Sequence, residues 1–261
     1  MKLEFLVSTM NRSNLNFFED MNINDSAIII NQCRKKINVK SENKNIKIIS
    51  YEEVGLSKSR NRALENSNGD ICILSDDDIT YKDNYKEIIL NAYEENLDAD
   101  LIVFQIENSK GELYKNYKQN KMILNKFDIM RVSSMEITFK RESLIKNNIK
   151  FDEKFGAGSR YYCGEENILL SDCIKKNLKV VYIPKVIAKL QESDSSWFHG
   201  YDEKYFISKG AVFHRMYRKI FPAIIIQFAV RKRKLFKESF NMFKTIKLMF
   251  IGSNELNNLN L

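Results

Sequence analysis

Short apolar runs alternate with amphipathic stretches through the first half of the chain. The runs are rich in Ile, Val and Leu, as buried strands are: "LEFLV" (3–7), "AIII" (27–30), "IKIIS" (46–50), "ICIL" (71–74) and "LIVFQI" (101–106). Between them, Leu56, Ala63 and Leu64 suit a helix that Gly69 would stop, and a helix of about 15 residues is predicted over 82–96. This order predicts an α/β fold with a mainly parallel sheet flanked by helices.

The second half is less regular. A strand and a short helix are predicted within 133–155, followed by a helix that ends at Asn177 and a strand that ends at Pro184. Beyond residue 215 the chain becomes basic, aromatic and helical in pattern. We therefore predict a main domain over 1–215 and a basic amphipathic helical tail over 216–261.

Composition excludes a disordered or fibrous protein, because 44% of the 261 residues are hydrophobic and only nine are Gly and two Pro. Cys33, Cys72, Cys163 and Cys173 show no close pairing, and the N-terminus enters a strand pattern at once. Free thiols in a cytoplasmic, reducing setting are therefore expected.

The net charge of +8 belongs to one segment. Residues 215–247 hold ten Lys and Arg against one acid, which leaves 32 basic and 33 acidic residues elsewhere. A surface that is basic throughout is thereby excluded, and with it a general nucleic-acid binder.

Three carboxylates, Asp76, Asp77 and Asp78, directly follow the fourth predicted strand. Adjacent anions about 5 Å apart repel by about 3 kcal/mol at an effective dielectric of about 20. One Asp is explained by helix capping, but three favour a site for a hard cation such as Mg²⁺ or Mn²⁺. Parallel sheets bind ligands at the carboxyl ends of their strands, where Thr9 and Asn31 are also expected.

Two other clusters carry candidate chemistry. Lys58, Arg60 and Arg62 open a predicted helix, either as a solvated face or as cations that face a diphosphate. Glu165 and Glu166 also open a helix, where acids stabilise the first turn, and one of them is alternatively a general base. The residues alone leave both alternatives open.

Together, "VSTMNR", "GLSKSRNRALENSNGDICILSDDD" and "FKRESL…FDEKFGAG…GEENILL…KVVYIP" resemble, in this order, the motifs of family 2 glycosyltransferases with the GT-A (Rossmann-like) fold. The resemblance covers about residues 3 to 215 and is to the bacterial enzymes that build capsules, O-antigens and exopolysaccharides. It implies an inverting hexosyl- or N-acetylhexosaminyl-transferase that uses a nucleotide-sugar donor and Mn²⁺ or Mg²⁺.

The resemblance also implies roles for individual residues. Asp76 would contact the ribose and Asp78 the metal, with Asp76 beside it, and Glu166 would deprotonate the acceptor with Glu165 as its neighbour. The residues expected to hold the nucleotide sugar, a UDP-sugar by preference, are Thr9, Asn11, Arg12, Asn31, Arg60, Asn61, Asp76 and Asp77.

The sequence departs from the family pattern at three positions. Asn31 and Gln32 stand where an Asp often reads the base, and Glu166 stands in place of Asp. The late metal-binding His is absent, with His199 as either a substitute or a structural residue. Trp197 and Phe198, beside Tyr161 and Tyr162, form either an acceptor-side wall or core packing.

The basic tail indicates a membrane surface. Residues 220–230 are too short an apolar run to span a bilayer, which needs about 20 residues. From Leu235 onward, the side chains of Phe236, Phe240, Phe243, Ile246 and Phe250 group on one side of a predicted helix, with Lys234, Lys237 and Lys244 on the other. Residues 216–250 are therefore expected to contact anionic lipid on the inner face of the plasma membrane, near a glycan or lipid-linked acceptor. The alternative is a helix packed on the protein with a wet basic face.

Two other functions compete with sugar transfer. A sugar nucleotidyltransferase also binds Mg²⁺ through Asp at a strand end, but it wants a glycine-rich loop after the first strand, and "VSTMNRSN" has no glycine. A non-catalytic glycan- or lipid-binding protein, derived from an enzyme, is the other alternative.

Overall fold

A computed structural model of the chain describes residues 1–34, 39, 41, 43–191 and 200–259. It divides into two compact units. The first holds Met1–Val54, Lys58–Phe151 and Leu169–Asp194, and the second holds Gly55–Ser57, Asp152–Ile168 and Ser195–Leu261. The predicted tail, 216–261, thus belongs to a unit that also contains residues before it.

The first unit is built on one mixed sheet, which among the described residues has nine strands. These are β1 (Leu3–Met10), β2 (Ser26–Gln32), β3 (Ile46–Tyr51), β4 (Ile71–Asp76), β5 (Ile79–Tyr81), β6 (Leu101–Glu107), β7 (Met122–Ile123), β8 (Ile137–Lys140) and β9 (Val180–Leu190). Their order is β3-β2-β1-β4-β8-β6-β9-β5, and β7 pairs with β9. β1 to β4 are mutually parallel where they pair, whereas β8 is antiparallel to both its neighbours. The predicted α/β class is confirmed.

Eight α-helices lie along the described chain. They are α1 (Asn16–Glu19), α2 (Leu56–Asn66), α3 (Tyr85–Glu94), α4 (Arg141–Lys146), α5 (Glu165–Lys175), α6 (Glu203–Tyr217), α7 (Phe221–Phe236) and α8 (Met242–Asn258). Single 3-10 turns occur at Asp128–Arg131 and Ser134–Glu136. No described helix is long and apolar enough to cross a membrane.

One face of the sheet packs on α3 in an apolar core of the first unit. Phe5 of β1 meets Tyr81 and Tyr85 edge to face, with ring centroids 4.7 and 5.4 Å away. Alternate strand residues such as Ile73 and Phe104 are fully buried on the same face. All four cysteines are free, as predicted.

The sequence predicted helix ends at Asn177 and at Gly69, and only Asn177 closes a helix in the structure. Asn177 does end α5, because it takes φ +62° and its amide bonds the Ile174 carbonyl at 3.0 Å. Gly69 does not end α2, which stops at Asn66. Instead, a Cβ at Gly69 would lie 2.5 Å from the Cβ of Glu4, so glycine is needed for close packing.

The second unit contains α6, α7 and α8. The backbones of α6 and α8 touch at two glycines: a Cβ on Gly210 would lie 1.9 Å from the Met249 carbonyl, and one on Gly252 equally close to the Ile207 carbonyl. The tail is two helices rather than the single one predicted from Leu235 onward. α7 ends at Phe236, and Asn241 then caps α8 by accepting a hydrogen bond from the Lys244 amide at 2.8 Å.

Candidate active site

The carboxyl ends of β1, β2 and β4 bring the predicted polar residues to one edge of the sheet. Ser8 of β1 is in register with Asp76 of β4, and Thr9 with Asn31 of β2. The expected convergence of these strand ends is therefore observed within the first unit. It is the edge at which parallel α/β sheets bind ligands.

Asp77 is held by Thr9 and Arg12. The Thr9 hydroxyl donates to Asp77 Oδ2 at 2.5 Å, and the Arg12 guanidinium donates to the same oxygen from Nη2 at 2.7 Å and from Nε at 3.0 Å. Arg12 also lies over the Phe17 ring, 4.9 Å from its centroid. These contacts fix the Asp77 side chain toward the loop that follows β1.

Asp76 is held from two sides. Arg60 of α2 donates from Nη2 to Asp76 Oδ1 at 3.2 Å, and the Ser134 hydroxyl donates to Oδ2 at 3.4 Å. The Arg60 side chain is only 1% exposed, so this is a buried ion pair. Two of the three adjacent carboxylates thus each have an arginine neighbour, which offsets much of the repulsion that the sequence implied.

Three predicted nucleotide-binding asparagines contact the backbone. Asn31, fully buried, donates to the Arg12 carbonyl at 2.8 Å and accepts from the Arg12 amide at 3.0 Å. Asn61 makes the same pair of bonds with the Phe151 backbone, at 3.0 and 2.9 Å. Asn11 adopts φ +53° and its amide bonds the Gln32 carbonyl. These contacts shape the loops around the edge, and a direct role in holding a nucleotide stays a prediction.

The basic cluster at the start of α2 separates into different environments. Arg60 faces Asp76, whereas Arg62 pairs with Glu53 and Glu65 at 3.4 and 3.5 Å. The hydrogen bond to Glu53 raises the pKa of Arg62 above its ordinary value. Of these two arginines, Arg60 is the one whose guanidinium contacts an aspartate of the triplet.

Asp78 is half-buried in the turn between β4 and β5, and its backbone carbonyl accepts from the Gln191 amide at 2.9 Å. Over the described ranges, no three His, Cys, Asp or Glu side chains cluster as a closed metal site. Mg²⁺ does not require three protein ligands, because it is commonly bound by one or two carboxylates together with phosphates and water. The oxygen donors of Asp76 and Asp78 fit a hard cation shared with a diphosphate, and Mn²⁺ takes the same donors.

The acceptor-side prediction is only partly described. Trp197, Phe198 and His199 lie outside the described residues. Tyr161 is buried and packs on Phe155 with ring centroids 5.1 Å apart, and the Tyr162 hydroxyl donates to Asp202 at 3.3 Å. For Tyr161, the packing alternative is the one that the contacts support.

In the second unit, Glu165 and Glu166 form the first turn of α5. Gly164, at φ +85°, precedes them because a Cβ there would lie 2.7 Å from Val212. Glu165 is buried, and its carboxyl carbon would lie 3.2 Å from a Cβ on Gly156, which takes φ +99°. Glu166 is half-buried. Two glycines with positive φ therefore make room for this turn.

Lys209 of α6 interacts electrostatically with both glutamates. Burial by itself lowers the pKa of the Lys209 ammonium, but Tyr205, Cys163, Glu166 and Glu165 together raise it above its ordinary value. Burial raises the pKa of the Cys163 thiol to about 12, with the two glutamates adding to the increase. The lysine is therefore charged and the cysteine neutral near pH 7.

The sequence match decides the family. The family model described as glycosyl transferase family 2 matches residues 23–162, which is more than half of the chain. The chain belongs to this family. The matched stretch includes Asn31, Arg60, the three aspartates and Ser134 of the first unit's candidate site, whereas Thr9 and Arg12 precede it. The family 2 resemblance inferred from the motifs is thereby confirmed, and the chain is a glycosyltransferase by family.

Solved structures share the fold. TarS 1–349 of S. aureus in complex with UDP-GlcNAc matches with a TM-score of 0.65 and 13% identity, over 99% of this chain and 84% of its own. The complex of TarS 1–349 with UDP matches with a TM-score of 0.61 and 14% identity, over 92% and 76%. For the longer TarS chain the match covers 46% of that chain. These likenesses confirm the GT-A fold. Among curated proteins, none matches the sequence.

The sequence did not lead us to one cluster of polar side chains, which lies next to Ser134 and is centred on Glu136. Glu136 is 1% exposed, and its Oε1 receives hydrogen bonds from Lys115 Nζ at 2.6 Å and from the Tyr117 hydroxyl at 2.8 Å. Its Oε2 accepts from the Ser133 amide at 3.2 Å, and the two residues form a capping box. The Ser-x-x-Glu spacing at 133–136 was the available signal. This cluster fixes the turn that carries the Ser134 hydroxyl to Asp76.

Proposed function

We propose that this protein is an inverting, metal-dependent glycosyltransferase that moves a hexosyl or N-acetylhexosaminyl group from a nucleotide sugar. The acceptor is a glycan or a lipid-linked glycan in the synthesis of a bacterial cell-surface polysaccharide such as a capsule, O-antigen or exopolysaccharide. The donor is a UDP-sugar, a choice supported by the complexes of TarS with UDP and UDP-GlcNAc.

The observation that carries the proposal is the fixed aspartate edge. Thr9, Arg12 and Arg60 hold Asp76 and Asp77 at the carboxyl end of the sheet, with Asp78 next in sequence. In the proposal, Asp76 contacts the ribose and Asp78 takes the divalent cation. When bound, Mn²⁺ or Mg²⁺ supplies positive charge that stabilises the leaving diphosphate.

The residues of α5 supply the base in the proposed reaction. The Glu166 carboxylate accepts the proton of the acceptor hydroxyl while that oxygen forms a bond to the anomeric carbon. The bond from the anomeric carbon to the diphosphate oxygen breaks with inversion, and UDP leaves with the bonding electrons. The ammonium of Lys209 supports this role, because a nearby positive charge favours the ionised carboxylate that a base requires.

The proposal is tested with the full chain and a panel of UDP-, GDP-, CDP- and TDP-sugars, with and without Mn²⁺. The measured quantity is the nucleotide diphosphate released, first with water and then with membrane-extracted glycan lipids as acceptor. Release from UDP-sugars only with metal is the expected result. Nucleotide binding without release from any donor would instead favour a non-catalytic protein, and pyrophosphate formation would indicate a nucleotidyltransferase.

A further inference from the structure

Helix α7 of the second unit has one side packed inside that unit. Ile225 and Ala229 are fully buried, and Phe236 is 2% exposed. The Phe236 ring meets the Phe206 ring of α6 edge to face, with centroids 5.1 Å apart. Packing within the unit therefore buries only some of the apolar residues of α7.

A second apolar stripe lies on the outward side of the same helix. Ile220, the N-cap residue of α7, is 49% exposed, Ile226 50% and Val230 59%, and Ala223 is exposed between the first two. Steps of three, three and four residues place these four side chains on one face of a helix. Large apolar side chains that recur on one face are unlike the scattered exposed residues of an ordinary protein surface.

Positive charge surrounds this stripe. The stretch 218–237 contains seven basic residues and no acid: Arg218, Lys219, Arg231, Lys232, Arg233, Lys234 and Lys237. On the helix, Arg231 and Lys234 lie within about one turn of Val230 and on the side away from the buried residues. Both ends of the apolar stripe are thus bordered by cations.

We propose that the outward face of α7, defined by Ile220, Ala223, Ile226, Val230, Arg231 and Lys234, is a docking surface for an anionic lipid bilayer. The apolar side chains enter the boundary between headgroups and acyl chains, and the cations contact lipid phosphates. Two copies of this face would bring like charges together, which disfavours self-association. The apolar stripe, in turn, has no partner on a nucleic-acid backbone.

This inference does not rest on the proposed transferase activity, and its test involves no turnover. The purified full chain is mixed with vesicles of phosphatidylcholine alone or with added phosphatidylglycerol, and the bound fraction is measured by sedimentation. Binding is expected only to the anionic vesicles, and it falls as salt is raised because the charges are screened. Equal binding to neutral vesicles, or none to either, overturns the proposal.

Two double variants separate the contributions of apolar and charged residues. Ile226→Glu with Val230→Glu, and Arg231→Glu with Lys234→Glu, should each weaken vesicle binding by about tenfold or more. Matched controls are Ile145→Glu on α4, where Ile145 is 46% exposed, and Lys110→Glu with Lys121→Glu, which changes the net charge equally. The controls should bind as the unaltered protein does.

Folding and self-association are checked on the same samples. Circular dichroism and melting temperature should be unchanged, and Ile226→Ser with Val230→Ser gives a milder variant if the glutamates unfold α7. An equal loss of binding in the controls overturns the assignment to this face. Sedimentation velocity showing that the unaltered chain dimerises, and that Ile226→Glu with Val230→Glu makes it monomeric, would assign the face to a second copy and overturn the lipid proposal.

Discussion

The two acidic groups of this chain, Asp76–Asp78 in the first unit and Glu165–Glu166 in the second, are balanced in different ways. Asp76 and Asp77 each have a guanidinium at 3.2 Å or less, from Arg60 and Arg12. The glutamates begin a helix and have a lysine ammonium as their charged neighbour. Arginine binds a carboxylate through a rigid planar fork, whereas lysine is a flexible point charge.

This difference indicates different tasks. A carboxylate fixed by arginine keeps one orientation, which suits residues that hold a ligand or a cation. The glutamates at the start of α5 have Lys209 among their electrostatic partners, and a base needs a carboxylate that can accept a proton. In the proposed function the aspartates hold the donor and Glu166 accepts the proton, and the following changes test that division.

The largest effect is expected for Glu166→Gln. Removing a general base lowers turnover by about 10²- to 10⁴-fold. Affinity for UDP should stay within about twofold, because the amide keeps the shape of the side chain. Release of UDP from the accepted donor measures turnover, and calorimetry measures binding. Glu165→Gln is the matched control, and an equal loss in both variants would show that the pair acts structurally.

Arg60→Met tests the aspartate group through stability. Leaving Asp76 buried without its guanidinium should lower the free energy of unfolding by about 3–5 kcal/mol. Urea unfolding measures the change, and adding Asp76→Asn should restore part of it. Arg62→Met on the same helix is the control, with a cost of about 1 kcal/mol or less for its more exposed pairs. Similar losses for the two arginines would contradict the special position of Arg60.

Glu136 adds a third case to the comparison, because it is a buried acid whose charged partner is a lysine, Lys115. Burial raises the pKa of Glu136 above its ordinary 4.5, although Lys115 and Tyr117 act against the increase. The folded protein therefore binds more protons than the unfolded chain between pH 4.5 and the raised value. Its contribution to stability is present below that window and is lost as pH rises through it, by at most about 1.4 kcal/mol per pH unit.

Glu136→Gln should remove this pH dependence. The measurement is the difference in unfolding free energy between the variant and the unaltered protein, followed upward from pH 4.5. Glu142→Gln, at an exposed position of α4, should leave the slope unchanged. A constant difference for Glu136→Gln across the window would show that the buried acid does not titrate there.

Much of the fold was predictable because the strands obey local rules. Five short Ile- and Val-rich runs correspond to β1, β2, β3, β4 and β6, and Asn177 ends α5 through its positive φ. The antiparallel position of β8 was not predictable, since pairing depends on residues distant in sequence. The break between α7 and α8 was missed because the aromatic spacing after Leu235 suits a continuous helix and the Asn241 cap overrides it.

In the candidate site, too, the features set by local sequence were predictable and those set by distant contacts were not. The ends of β1, β2 and β4 could be read from the sequence. Thr9, Asn31 and Asp76 could therefore be predicted to lie close together at the edge of the sheet. The pairing of Asp77 with Arg12, and of Asp76 with Arg60 and Ser134, was not predicted, because it depends on how loops and α2 pack on the sheet. Asn31 shows the limit, since its amide bonds the backbone of Arg12.

The most direct test of the account is thermal unfolding of the unaltered chain and Asp78→Ala, each with UDP, with and without Mn²⁺. At 100 times its dissociation constant, UDP with Mn²⁺ should stabilise the unaltered chain by about 2.7 kcal/mol, with much less effect when either is omitted. Asp78→Ala should lose that stabilisation, while Asp98→Ala, at an exposed position, should keep it. Stabilisation of Asp78→Ala equal to that of the unaltered chain, or by UDP alone, would contradict a metal-assisted donor site at these aspartates.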